Sequence, residues 1–238
     1  MNFLKTFREG NISKQMNFSF VKALTLLLLI PFVAAAQDGN PENWCRNGFF
    51  ANSEEFRLAK VVGAKGARVY FYSDDDDCPN ASLAKCKKKS YLVTGDKLIV
   101  SKTYNNFACG WFQPMKGSET VAWLPIENLE ITKPDFNPAP TKWLGTWRFY
   151  DNSITIKSGG AGNLKISGEA FWKGLGDNIH TGEIGGSEKP KGNQIMLEDE
   201  ICKVTLTLIG DYLIANDNSE CGGANVTFDG VYRLKKKR

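Results

Sequence analysis

The chain has a single histidine, His180, among 238 residues. Imidazole is the commonest general base and the commonest nitrogen ligand for metals, so one copy leaves little room for either chemistry. His180 falls in the alternating run Ile179-His180-Thr181 and reads as a partly exposed strand residue. None of the cysteines forms a Cys-x-x-Cys pair, which removes the usual zinc spacing. The glycine runs at Gly159-Gly160-Ala161-Gly162 and Gly185-Gly186 lack the Lys-Ser/Thr ending of a phosphate loop, and read as hairpin turns. No local context singles out a pair of carboxylates for glycosidase chemistry. The sequence therefore predicts a non-catalytic protein with no cofactor and no metal site.

Long apolar runs are also missing. The longest, Ala23 to Ala36, covers 14 residues and is interrupted by Pro31. That falls short of the roughly 20 residues that span a bilayer. Lys22 precedes the run, and Ala34-Ala35-Ala36 ends it before polar Gln37. A basic start, a short apolar stretch and small residues at its end define a cleavable export signal over residues 1–36. Met16-Asn17-Phe18 repeats Met1-Asn2-Phe3, so Met16 is an alternative start. No cysteine follows the cleavage site, and no stable membrane anchor is expected.

Charge of one sign is scarce as well. The formal charge is +4, and removing Lys5, Arg8, Lys14, Lys22 and Glu9 with the signal leaves +1. Whole-chain charge gives no case for nucleic acid or an anionic membrane. The terminal Lys235-Lys236-Lys237-Arg238 reads as a solvated end.

What the chain does have is an even set of six cysteines, all beyond the signal. In an exported chain this reads as three disulfides formed in an oxidising space, so the protein is placed in the periplasm or outside the cell. Proximity is the guide to pairing. Cys202 and Cys221 flank a hairpin centred near Gly210-Asp211, Cys78 and Cys86 pinch a charged insertion, and Cys45 and Cys109 are left for each other.

The chain also has many short strand patterns. Ala67–Tyr72 is rich in aromatic and β-branched residues, and Tyr91–Val100 holds two strand runs hinged on Gly95-Asp96. Phe107–Phe112 contains Gly110-Trp111, and Val121–Pro125 contains Trp123-Leu124-Pro125. This order of an opening strand, a Gly-Asp turn, a Gly-Trp strand and a Trp-Leu-Pro exit resembles the bacterial SH3-like family over residues 64–131. The resemblance implies a small barrel that binds and does not catalyse. Its partner would be a cell-wall peptide or a periplasmic protein.

Upstream, Ser53–Lys60 predicts a short helix, with Ser53 as cap, acids early and Lys60 late. The insertion between Tyr72 and Tyr91 carries Asp74-Asp75-Asp76-Asp77. Contiguous aspartates lack the spaced ligands and glycine bend of a calcium loop, so the insertion reads as an acidic arm facing Cys86-Lys87-Lys88-Lys89.

Three prolines within Pro134–Lys142 mark a semi-rigid linker. The domains expected are thus 37–133, SH3-like with its leader, then the linker 134–142, and 143–238. The last shows eight strand patterns, at 145–150, 154–157, 164–171, 179–184, 194–197, 202–208, 212–215 and 226–232. Their tight connections predict an eight-stranded antiparallel barrel or sandwich, and the whole chain is all-β. Each part has its own strands and bridges, so each is expected to fold alone. Cys221-Gly222-Gly223-Ala224-Asn225 reads as a disulfide-locked turn needing positive φ at several residues. In size, export and disulfide use the barrel is similar to small periplasmic lysozyme inhibitors, without a shared motif. The alternative function is therefore an inhibitor or immunity protein that blocks a cell-wall hydrolase.

The resemblance places ligand binding on an aromatic surface of Tyr70, Tyr72, Trp111 and Trp123. Alternation puts Tyr70 and Tyr72 on one face and Val69 and Phe71 on the other. If Val69 and Phe71 face the core, both tyrosines reach the surface. Trp111 and Trp123 have a second reading as core residues, since large aromatics are usually well buried.

Overall fold

A computed structural model describes residues 41–114 and 116–235, all within one compact unit. The export signal expected over residues 1–36 and the basic end Lys236-Lys237-Arg238 lie outside the described residues. Among the described residues there is no α-helix; strands joined by turns and short 3-10 segments make up the fold.

The first sheet has seven strands: β1 (Arg57–Val61), β2 (Arg68–Tyr72), β3 (Lys87–Val93), β4 (Lys97–Tyr104), β5 (Phe107–Phe112), β6 (Thr120–Pro125) and β7 (Leu129–Thr132). Their spatial order is β3-β2-β6-β5-β4-β1-β7, and all pairings are antiparallel. The sheet encloses a core that includes Val61, Phe71, Leu92, Leu98, Ala122 and Leu124. The helix expected over Ser53–Lys60 is absent. Ala59 and Val61 are buried on alternate positions of β1, and pairing with β4 and β7 outweighs the local helix signals. At the β3–β4 turn, Gly95 has φ 100° and the Asp96 carboxylate accepts the Val93 N–H at 2.8 Å.

The second sheet has eight strands: β8 (Gly145–Phe149), β9 (Asn152–Gly160), β10 (Asn163–Lys173), β11 (Ile179–Glu188), β12 (Gln194–Asp199), β13 (Cys202–Ile209), β14 (Tyr212–Asp217) and β15 (Gly230–Leu234). The order β11-β10-β9-β8-β15-β14-β13-β12 brings β11 and β12 together and nearly closes an antiparallel barrel. The final strand starts at Gly230, later than the pattern at 226–232 suggested, because Phe228 and Val226 face the barrel core from a loop. Trp143, Trp147, Leu206, Leu213 and Tyr232 fill the interior.

A third apolar cluster joins the two sheets. It combines Phe50, Phe56, Ile99, Trp111 and Trp123 with Ile209, Ile214 and Val231 of the barrel. Val204, Leu206 and Leu208 point into the barrel, so Ile209 on the same strand is buried against the first sheet instead. The two sets of strands expected to stand alone thus share buried surface.

The six cysteines form the three expected bridges: Cys45–Cys109, Cys78–Cys86 and Cys202–Cys221. The turn after Cys221 uses glycine differently from the expectation. Asn225 has φ 65°, whereas Gly222 is needed because a Cβ there would lie 2.7 Å from the Gly182 Cα. Close approach of two backbones sets that requirement.

Candidate functional site

The surface that the sequence pointed to begins on β2. Val69 and Phe71 are buried, so Tyr70 and Tyr72 emerge on the opposite face, half-buried. The register with β3 slips between them: Tyr70 faces Tyr91, while Tyr72 faces Lys87. Lys88, Lys89 and Ser90 together span the single residue Phe71, which makes a bulge on the outer strand of the sheet.

This slip separates the two tyrosines. Tyr72 turns toward Phe107, with ring centres 5.1 Å apart, and packs against the cluster shared by the two sheets. Tyr70 instead meets Tyr91, with ring centres 5.7 Å apart, and Tyr91 is 42% exposed. The Lys87 ammonium sits 3.7 Å from the Tyr70 ring centre, and the Arg68 guanidinium 4.5 Å from that of Tyr91. A hydrogen bond to Tyr70 raises the pKa of the exposed Arg68 guanidinium above its ordinary value. The two phenol rings therefore stand side by side at the sheet edge with one cation on each, and Lys88 and Lys89 are exposed beside them.

Trp111 and Trp123 are not on this surface. They are 2% and 0% exposed, and lie in the inter-sheet cluster. The Trp123 indole N–H donates to the Asn43 carbonyl at 2.7 Å, and that of Trp111 to the Glu119 carboxylate at 2.7 Å. Both rings have structural roles, and the expectation that they line an open groove fails. The reason is that the barrel covers the face of β5 and β6 that would otherwise be free. Tyr91, Arg68 and Lys87 were missed in their place. The available signal was Leu92, whose burial on β3 forces Tyr91 outward.

The aspartate run is divided in its tasks. Asp74 is buried and accepts the Cys45 N–H and the Arg46 Nε–H, each at 2.7 Å, which fixes the leader to the sheet. Asp76 and Asp77 reach Lys85, at 3.9 Å and 3.2 Å. The arm that faces the aspartates is thus Lys85, while Lys87–Lys89 belong to β3. His180 lies against Trp172, ring centres 5.1 Å apart, and its Nδ1 meets the Ala224 carbonyl.

At the junction of the sheets two carboxyls are perturbed upward. Burial pushes Asp229 up to about 6, reinforced by the charge of Asp217 and opposed by hydrogen bonds from the Asp217 backbone, Asn216 and Thr227. Burial also raises Glu119, against the hydrogen bond from Trp111 and the charge of Arg233. Both carboxyls border one small cavity of about 40 Å³.

No protein-family model, no curated protein and no solved structure matches this chain.

Proposed function

We propose that this is a non-catalytic exported binding protein whose SH3-like part, residues 64–131, engages an extended peptide of the cell envelope along β3. One observation carries the reading: the pairing of Tyr70 and Tyr91 with Lys87 and Arg68 at a sheet edge. Rigid phenol rings supply contact area at small entropic cost, and the cations favour a segment bearing carboxylates. An outer strand also offers unpaired backbone groups to an added strand. The three disulfides support an oxidising location, periplasmic or secreted.

The test is retention of the purified protein on cell-wall preparations, with and without Tyr70→Ala plus Tyr91→Ala. Loss of retention in a double variant with an unchanged melting temperature supports the reading. Undiminished retention rejects this surface. Recovery of a hydrolase from periplasmic extract in one-to-one ratio, insensitive to the double variant, favours the inhibitor reading instead.

A further inference from the structure

Two cavities flank the segment Ser53–Arg57. One, of about 560 Å³, is bounded by Phe56, Ile131, Phe136 and by barrel residues including Gln194 and Thr207. The other, of about 710 Å³, is bounded by Trp44, Phe49, Asn52 and the end of β4 at Ser101–Thr103. Glu54, Glu55 and Arg57 line both, so the cavities adjoin along this segment.

The linings have three properties in common. Large rings are left open to solvent: Phe49 is 47% exposed in one cavity and Phe136 59% exposed in the other. Trp44 meets Phe49 edge to face at 4.9 Å and holds that ring in place. Hydrogen-bonding groups are dense and mixed, with carboxylates at Glu54 and Glu55, amides at Asn52 and Gln194, and hydroxyls at Ser53 and Thr103. Charges of both signs are mixed, with Glu54 and Glu55 among Arg57, Lys102 and Lys133, and Glu55 pairs with Arg57 at 2.6 Å. Ser101 adds a polar group whose hydroxyl, although buried, meets no partner among the described residues.

A strongly charged ligand gains little from such a lining, and a purely apolar one gives the Glu54 carboxylate and the Ser101 hydroxyl no partner. An oligosaccharide matches both halves of the chemistry. Its rings present C–H faces that lie on exposed aromatic rings, and its hydroxyls both donate and accept toward carboxylates and amides. We infer that the adjoining cavities over Ser53–Arg57 form a binding groove for a neutral oligosaccharide, held between Phe49 at one end and Phe136 at the other. This site is separate from the peptide surface on β3 and does not depend on it.

The experiment is a titration of the mature full chain with the soluble tetrasaccharide of N-acetylglucosamine, followed by tryptophan fluorescence and calorimetry. Saturable binding is expected, weakened by about tenfold or more in Phe49→Ala with Phe136→Ala, which corresponds to about 1.4 kcal/mol. Glu54→Gln is the milder variant, keeps the shape of the groove, and should weaken binding several-fold. The monosaccharide, which reaches only one cavity, should bind at least about tenfold more weakly than the tetramer. Tyr70→Ala with Tyr91→Ala should leave the affinity unchanged, which separates this site from the β3 surface. Absence of saturable binding by the folded wild-type chain overturns the inference. So does equal affinity for monosaccharide and tetramer, or an affinity untouched by both groove variants.

Discussion

The guanidinium of Arg233 lies 5.5 Å from the ring centre of Trp111, although one residue belongs to the barrel and the other to the seven-stranded sheet. The same group lies 5.7 Å from the Tyr212 ring and donates to the Gln113 carbonyl. One side chain thus clasps two rings and a backbone oxygen across the junction. Around it, Ile209, Ile214 and Val231 press against the first sheet.

Removing that clasp should be felt throughout the molecule. Arg233→Ala deletes two ring contacts and leaves the Gln113 carbonyl without its donor, a loss of about 1–3 kcal/mol. Urea unfolding should remain a single transition with a lower midpoint. Two separated transitions in the wild-type chain would show that the sheets are not coupled.

Burial at the junction sets a second expectation. Ile214 is 1% exposed yet sits on the outside of the barrel. Ile214→Ala should cost about 2–4 kcal/mol, as for a core residue. A fragment of residues 141–238 exposes this face and should melt below the barrel in the whole chain, with dye binding that the whole chain lacks.

The Trp123 indole tests structure against recognition. Trp123→Phe keeps the ring buried but leaves the Asn43 carbonyl without its donor. Stability should fall by about 1–3 kcal/mol while retention on cell wall is unchanged. Lost retention by a folded variant would return Trp123 to the binding surface.

Stability should fall as pH rises through the range in which Asp229 ionises. Its carboxyl holds a proton up to about pH 6 in the folded chain, against an ordinary value of 3.8. The native state therefore binds more protons than the unfolded state between those values, and its favourable contribution fades as pH passes 6. Glu119, raised by burial as well, acts in the same direction. Asp229→Asn keeps an acceptor for the Asp217 N–H without the charge. It should melt above wild type at pH 7.5, with the difference vanishing near pH 4. A wild-type melting temperature that rises from pH 5 to pH 7.5 for this chain and not for Asp229→Asn would refute the assignment.

The Cys202–Cys221 bridge closes the β13–β14 hairpin. Replacing both cysteines by serine should cost about 3 kcal/mol. A thermal scan under oxidising conditions measures it.

Much of the strand layout was legible because alternation and turn chemistry are local. Val204, Leu206 and Leu208 announce one buried face, and Gly210-Asp211 announces the turn that follows. Cysteine pairing was legible for the same reason, since two bridges close short hairpins or loops. The contact between the sheets was not. Tyr212-Leu213-Ile214-Ala215 is apolar on both faces, and that continuity is the trace of a strand buried twice, once inside the barrel and once under the neighbouring sheet. Ser53–Lys60 misled because capping preferences are worth little against two flanking strands. Trp111 and Trp123 misled because a residue that would be exposed in a lone barrel is covered here by the second one.

Every disulfide closes within one sheet and its own loops. Between Thr132 and Gly145 a single backbone strand is the only covalent tie from one half to the other. A protease that cuts beside exposed Phe136 would therefore yield two fragments that no reductant is needed to part. Held by the clasp at Arg233 and the apolar junction, the nicked pair should travel as one species in gel filtration and as two in denaturing electrophoresis. The chain is in that sense a ready-made split protein, whose halves can be expressed apart and asked to find each other.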